Sequence, residues 1–226
     1  ANDELFVLGA LNSHVTTSAL KVINPTVNLH PGYLGRVPLT QQNRPEVTQL
    51  VKSCVATSAA DWDAYERSWD FQSLPLLTAS SEPTPTLESS YTAWITQNRD
   101  TIAEMKRLEE ENNRLFIDAY GLADELTPDV PIEQITLTVN PAYRYGGKLT
   151  INAQWARFRQ DTMEELVSYA IGCMMGRYSL EKPGLILADS QQNQPDHLAA
   201  YDRKTGVSRD SEKFPMDEDG ILPLLD

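Results

Sequence analysis

Residues 140–143, Asn140-Pro141-Ala142-Tyr143, come closest in type and spacing to a catalytic motif. Enzymes that methylate an exocyclic amine use Asn or Asp, two prolines and an aromatic residue at a strand exit. The polar side chain and a proline carbonyl accept hydrogen bonds from the amine, and the ring stacks on a flipped base. Here the third residue is alanine, and no glycine-rich loop follows a strand to hold S-adenosylmethionine. We therefore predict a strand-exit turn and no catalytic residue.

Metal and nucleophile chemistry are not predicted either. Cys54 and Cys173 lie in apolar helical patterns, where cysteine acts as a small buried hydrophobe. The chain has three histidines, which lack the spacing of metal ligands: His14, His30 and His197. We expect no metal site and no bound cofactor.

Two loops combine basic, aromatic and amide side chains, the types that contact phosphates and base edges in DNA. The first loop surrounds a turn region near residue 28, and the second contains Gly146-Gly147. The DNA-contact candidates are Lys21, Asn28, His30 and Arg36 in the first loop, and Arg144, Tyr145 and Lys148 in the second. Ordinary surface charge is the alternative interpretation.

The charge balance argues against DNA binding by the chain as a whole. Its 19 basic and 32 acidic residues give a net charge of −13. Such a surface repels phosphates, and an acidic module more often binds a protein. No apolar run approaches the ~20 residues of a membrane span. The two cysteines are consistent with a reducing cytoplasm.

Periodicity predicts a mainly α fold with a small β component, in which a long helical arm joins a helical core. Helices are predicted at 4–20, 45–65, 86–120 and 153–180, and a strand at 135–139. The 86–120 helix has a heptad pattern that fits either a coiled-coil arm or an amphipathic helix on a globular body. Residues 166–175 are apolar almost all round, so they should be buried, with Gly172 and Gly176 admitting a neighbouring helix.

The order of these elements suggests four consecutive segments. Residues 1–40 form the first segment, and 41–85 a helix with a linker. Residues 86–130 form a long helical hairpin or spacer. Residues 131–226 are a mixed segment that includes the buried helix and a mobile polar loop at 190–213. Both ends are apolar, and we expect the chain to be a fragment of a larger multidomain protein.

Several stretches resemble the adenine-specific DNA methyltransferases of BREX phage-defence systems (the PglX-like family). The resemblance covers about residues 5 to 187 and the Asp-Glu-Asp-Gly-Ile end. It is carried by Gly9-Ala10-Leu11-Asn12-Ser13, Ile23-Asn24-Pro25-Thr26-Val27-Asn28, Gly35-Arg36-Val37-Pro38, Asp61-Trp62-Asp63, Ser68-Trp69-Asp70-Phe71, residues 113–122, Asp124-Glu125-Leu126-Thr127-Pro128 and, most specifically, residues 168–180.

The resemblance implies a parent protein that transfers a methyl group from S-adenosylmethionine to adenine in DNA, in the cytoplasm, together with other BREX components. In that family the cofactor and catalytic motifs precede the region matched here. The resemblance implies that residues 1–40 are the end of a methyltransferase/target-recognition-like region. The chain is therefore expected to be a non-catalytic internal segment that positions DNA or links catalytic and recognition parts. Its acidic charge keeps open the alternative of a module that docks other defence proteins.

Overall fold

The computed structural model describes residues 2–24, 26, 28, 31–187, 197–207 and 211. The chain divides into two compact units, each built from two separate stretches. Unit 1 comprises residues 1–59 and 98–146, and unit 2 comprises residues 60–97 and 147–226.

The described residues form helices and loops. The helices are α1 (Asn2–Leu11), α2 (His14–Ile23), α3 (Pro31–Leu34), α4 (Arg44–Asp63), α5 (Leu87–Tyr120), α6 (Pro141–Tyr145), α7 (Ile151–Met174) and α8 (His197–Thr205), with 3-10 helices at Pro75–Leu77 and Ile132–Gln134. Within the described ranges no residue belongs to a strand. The mainly helical prediction is confirmed, whereas its small β component is not found.

Residues 135–139 are not the strand that their alternating pattern predicts. Ile135 and Leu137 are fully buried and Val139 nearly so. However, the Leu137 N–H donates to the Ile135 carbonyl at 2.8 Å, and the Asn140 N–H donates to the Leu137 carbonyl at 3.0 Å. These backbone groups are satisfied by tight turns instead of a ladder. The alternation thus identified the buried side chains but not the backbone conformation.

Ser13 divides the first predicted helix in two. A single helix was expected over residues 4–20, but the chain breaks between α1 and α2. The Ser13 hydroxyl donates to the Ala10 carbonyl at 2.7 Å and accepts the Thr16 N–H at 3.3 Å. A serine N-cap of this kind starts a new helix without interrupting the hydrophobic spacing.

The core of unit 1 lies where α1, α4 and α5 meet. Its buried side chains are Phe6, Ala10, Val15, Val47, Val51, Phe116 and Ile117. Gly9 sets the closeness of this packing, because a Cβ there would lie 2.7 Å from Val51 Cγ2 and 2.8 Å from Val47 Cγ1. The Nδ2 atom of Asn112 also donates to the Gly9 carbonyl at 3.0 Å.

The long helix α5 matches its predicted limits. Thr86 and Ser89 form a reciprocal cap at its start, since each side-chain oxygen accepts the backbone N–H of the other residue. At its end, Gly121 has φ +67° and the Leu122 N–H donates to the Ile117 carbonyl at 3.0 Å, which is a Schellman motif. The C-terminal part of α5 contributes to the unit 1 core, as expected of an amphipathic helix on a globular body.

The core of unit 2 is aromatic. Tyr169 and Tyr178 stack with ring centroids 5.2 Å apart, and Phe71 makes edge contacts with both rings. Leu74, Leu76 and Cys173 complete the buried cluster. Burial raises the pKa of both tyrosines, so their hydroxyls stay protonated at neutral pH.

Helix α7 differs from its prediction in length and burial. It ends at Met174 because Gly176, at φ +74°, closes another Schellman motif in which the Arg177 N–H donates to the Gly172 carbonyl. Only one face is buried, and Val167, Ile171 and Met175 on the other side are 58%, 38% and 43% exposed. The expectation of burial all round is therefore wrong.

Helix α8 occupies part of the predicted polar loop at 190–213. Tyr201 fixes it to unit 2, because this ring is fully buried beside Ile186 and its hydroxyl donates to the Tyr178 carbonyl at 3.2 Å. The rest of the predicted loop, at 190–196, 208–210 and 212–213, lies outside the described residues, as does the apolar end of the chain.

Candidate nucleic-acid interface

Asn140 is part of a structural turn in unit 1. Its Nδ2 atom donates to the carbonyls of Ile132 at 2.7 Å and Ile135 at 2.8 Å, and its Oδ1 atom accepts the Ala142 N–H at 3.1 Å. The side chain is 1% exposed, and Pro141 behind it is buried. A carboxamide with these three internal bonds does not fit the task of binding an adenine amine beside S-adenosylmethionine.

The first loop cluster follows α2. Lys21 is exposed in the last turn of that helix. The Asn24 Nδ2 atom donates to the carbonyls of Thr26 at 3.3 Å and Asn28 at 3.2 Å, which folds the backbone into a compact turn. Asn28 itself is exposed. This arrangement leaves the Asn28 side chain at the surface, while its carbonyl is used internally.

Arg36 lies just beyond α3. Its guanidinium carbon is 5.8 Å from the centroid of the Tyr33 ring, and the residue is exposed. A guanidinium that lies over a ring in this way directs its N–H donors outward in its own plane, where phosphate oxygens can accept hydrogen bonds from them. His30, the fourth candidate of this loop, lies outside the described residues.

The second loop cluster follows Asn140. The basic and aromatic residues are on α6, where the Arg144 guanidinium carbon is 5.4 Å from the centroid of the Tyr145 ring. Gly147, at φ +69°, then turns the chain, and Lys148 is exposed. Arg144 and Tyr145 belong to unit 1, whereas Lys148 belongs to unit 2, so each unit contributes separately to this set of candidates.

Acid-free stretches surround both clusters, a signal that a search for motifs alone overlooks. Residues 5–45 contain Lys21, Arg36 and Arg44 but no Asp or Glu, and residues 134–160 contain four basic residues but no Asp or Glu. In a chain with 32 acids, these stretches are locally basic. Arg157 and Arg159 of α7, both exposed, are the additional basic residues found in this way.

The arginines of α5 provide a contrast. Arg107 pairs with Glu104 at 2.7 Å. Arg114 donates two hydrogen bonds to the Glu111 carboxylate, from Nε and from Nη2. These carboxylates lie one turn away on the same helix, so they neutralise the arginines locally. Arg107 and Arg114 are therefore poor phosphate ligands, although they are exposed.

Two partly buried ionisable groups, Cys54 of α4 and Glu109 of α5, interact in unit 1. Burial raises the pKa of the Glu109 carboxyl. Burial and the nearby Glu109 charge raise the pKa of the Cys54 thiol to about 11. A thiol with this pKa is almost entirely protonated at neutral pH, which makes it a weak nucleophile.

The described part of the chain contains no group of three or more His, Cys, Asp or Glu residues arranged to hold a metal ion. Cys54 and Cys173 are reduced cysteines and do not form a disulfide.

In the same described residues, the helices are too short or too polar to cross a bilayer.

Comparison with known proteins relates the chain to adenine-specific methyltransferases. It is 35% identical over 193 residues to adenine-specific methyltransferase PglX of Lacticaseibacillus casei (strain Zhang), covering 83% of this chain and 15% of the relative. It is 34% identical over 228 residues to adenine-specific methyltransferase BrxX of Escherichia coli O9:H4 (strain HS), covering 100% of this chain and 18% of the relative. No family model matches. The resemblance found from the sequence is confirmed, and the chain spans less than a fifth of these relatives' length.

Proposed function

Since the chain is similar to a segment of adenine-specific methyltransferases, we propose that it is a non-catalytic part of a BREX adenine-specific DNA methyltransferase. In this proposal the parent protein uses S-adenosylmethionine to methylate DNA in the cytoplasm and works with other BREX components in phage defence. The present segment positions DNA or links the catalytic and recognition parts.

The internal hydrogen bonds of Asn140 carry the proposal that this segment lacks catalysis. Both of its N–H donors are used by backbone carbonyls, its oxygen accepts the Ala142 N–H, and the residue is 1% exposed, so a base cannot reach the amide. Moreover, Ala142 stands where the second proline of the methylation motif would be. The family's catalytic motifs would then lie in another part of the parent protein.

Calorimetry and methyl transfer test this first claim. The 226-residue chain is titrated with S-adenosylmethionine, and incubated separately with duplex DNA and tritiated cofactor. We expect neither saturable heat nor labelled DNA. Saturable binding at micromolar cofactor would refute the assignment of the cofactor site to another part of the parent protein.

The two loop clusters support the positioning role. Arg36 and Arg144 each lie over a tyrosine ring, within stretches of sequence that contain no acid. The other candidates for DNA contact are Lys21, Asn28, Tyr145 and Lys148. His30, which lies outside the described residues, is a candidate because of its place in the sequence. Because the net charge is −13, contacts by these residues should add modestly to binding by the parent protein.

The acidic charge supports a second function, docking of other defence proteins. Most of the excess lies in unit 2, where 19 acidic residues outnumber 10 basic ones, a net charge of 10 − 19 = −9. Unit 1 carries the remaining −4 of the total −13. A charge of this size steers basic partners and repels DNA, so the two units would serve different partners.

A further inference from the structure

Trp69 in unit 2 is almost completely exposed to solvent. Its relative exposure is 93%, the largest among the exposed large hydrophobic residues of the described chain. Single exposed apolar side chains are common on proteins. However, tryptophan is the residue type most enriched at the energetic centres of protein interfaces. The local structure of this turn decides between the two interpretations.

The turn that carries Trp69 is held rigidly by Ser68. The buried Ser68 hydroxyl donates to the Asp63 carboxylate at 2.6 Å and accepts the Asp70 N–H at 3.1 Å. The Ser68 N–H also donates to the Tyr65 carbonyl at 2.9 Å. The backbone on both sides of Trp69 is therefore fixed before any partner binds, which reduces the entropy cost of binding.

Phe71 attaches the same turn to the unit 2 core. Its side chain is 3% exposed, and its ring lies 5.3 Å from Tyr178 and 5.9 Å from Tyr169. Two residues before it, Trp69 points away from this core into solvent. Within three residues, the ring of Phe71 is buried in the core and the indole of Trp69 is exposed to solvent. The exposed indole does not contribute to the core of unit 2, so the folding of this unit does not explain it.

The electrostatic surroundings of Trp69 favour a cationic partner. Residues 61–70 contain four acids, Asp61, Asp63, Glu66 and Asp70, and a single base, Arg67. The Arg67 guanidinium carbon lies 4.3 Å from the centroid of Trp62 and 5.1 Å from that of Tyr65. The turn thus already binds one guanidinium on an aromatic face in an acidic setting, and this contact is a cation–π interaction.

We propose that Trp69 anchors a docking surface for an arginine-bearing, apolar segment of another protein. The indole packs against the apolar side chains of that segment and stacks on its guanidinium, while Asp63 and Asp70, both bonded to the neighbouring Ser68, attract the remaining positive charge. Nucleic acid is the wrong occupant, because its phosphates would meet these carboxylates. The proposal gives the protein-docking function a surface and a partner chemistry, and it does not depend on the DNA contacts of the two loops.

A peptide-binding titration with matched tryptophan variants tests the proposal. The probe is a fluorescein-labelled peptide of alternating leucine and arginine, followed by anisotropy with the full 226-residue chain. We expect Trp69→Ala to weaken binding by about tenfold or more, as at an interface hot spot. Trp62→Ala removes an indole at the end of α4, in the same acidic stretch of sequence. Because the Arg67 guanidinium already lies over this indole, its removal should weaken binding less than about threefold. Both variants keep the net charge.

Two results would overturn the proposal. If Trp69→Ala and Trp62→Ala bind the peptide as tightly as the unsubstituted chain does, the attraction is due to charge alone and Trp69 does not anchor the peptide. If Trp69→Ala weakens binding of duplex DNA instead of the peptide, the indole stacks on bases. Thermal unfolding shows that the variants are folded, and we expect no shift for Trp69→Ala because its ring is exposed. A negative result with the peptide leaves the DNA role of the loops untouched, since that role is measured with DNA.

Discussion

The Asn140 carboxamide holds three backbone groups of unit 1 in place. It joins the carbonyls of Ile132 and Ile135 to the first turn of α6, and it is nearly inaccessible to water. Removing the amide takes away the acceptor of the Ala142 N–H and one of the two hydrogen bonds of each carbonyl, since the Ile132 and Ile135 carbonyls also accept the N–H groups of Ile135 and Leu137. Buried polar groups that lose a partner in this way are costly. The role of Asn140 is therefore expected to be stability.

Asn140→Ala should lower the free energy of unfolding by about 2–4 kcal/mol, from lost hydrogen bonds and a lost N-cap. Urea unfolding followed by circular dichroism measures this change. The control is Asn28→Ala, which removes an exposed amide and should change stability by less than about 0.5 kcal/mol. Unchanged stability for Asn140→Ala would show that the amide is not structural.

Gly172 marks a close contact between α7 and the segment that follows it. A Cβ at this position would lie 2.7 Å from Cδ2 of Tyr178, whose ring stacks on Tyr169. The sequence suggested that Gly172 and Gly176 admit a neighbouring helix. Instead, the returning chain places a tyrosine ring on Gly172, and Gly176 ends the helix with its positive φ. Sequence spacing cannot distinguish these uses, because both need a residue without a side chain.

Gly172→Ala should destabilise the protein by about 1–3 kcal/mol, because the Tyr178 ring must shift within a packed cluster. Thermal unfolding measures the effect. Gly35→Ala is the matched control, since the nearest atoms to its Cβ are 4.0 Å away and its φ is not positive. If both variants have the same melting temperature as the unsubstituted chain, the packing around Gly172 is loose enough to admit a methyl group.

At the scale of elements, Glu109 lies where α4 packs against α5, and its negative charge destabilises the folded state. Burial raises the pKa of Glu109. In contrast, hydrogen bonds from Lys106 and the Val130 N–H lower the pKa of Glu110, the next residue. Neighbouring carboxylates on one helix therefore have opposite effects on stability, because they lie on different sides of it.

Glu109→Gln should raise stability at pH 7. The folded-state pKa is above the unfolded one, so folding is most stable below the ordinary Glu pKa and loses stability as pH rises through the folded pKa. The gain of Glu109→Gln should therefore vanish as pH falls to about 4. Glu110→Gln is the control with the opposite sign: its carboxylate stabilises the fold above the ordinary pKa, and the contribution is lost on acidification. Melting temperatures at several pH values test both, and a lower value for Glu109→Gln at pH 7 would contradict the assignment.

The same scale shows how much of the fold can be predicted from sequence. The limits of α4 and α5 follow from apolar spacing and from caps at Thr86 and Gly121, which are local signals. The break at Ser13 and the turns at 135–139 were missed, because hydrophobic periodicity reports burial and not hydrogen-bond partners. Likewise α8 was missed, since its polar sequence is fixed to unit 2 mainly by Tyr201, a distant contact.

At the scale of the whole molecule, the distribution of charge matters more than its sum. The net charge of −13 predicts poor DNA binding, but two acid-free stretches contain the basic loops. The candidate residues could be chosen from sequence because basic, aromatic and amide side chains cluster there. The side-chain partners are identified by the structure: Arg107 and Arg114 of α5 pair with carboxylates one turn away, and Arg36 and Arg144 lie over tyrosine rings.

The central claim is that these loops contact DNA, and anisotropy titration of labelled duplex DNA tests it most directly. We compare Arg36→Gln/Arg144→Gln with Arg107→Gln/Arg114→Gln, a control that removes the same charge from two arginines bonded to Glu104 and Glu111. We predict weak binding at low salt that is lost by about 150 mM. The loop variant should lower low-salt affinity by about tenfold and the control by less than about threefold. No binding at low salt, or equal losses for the two variants, would contradict the claim.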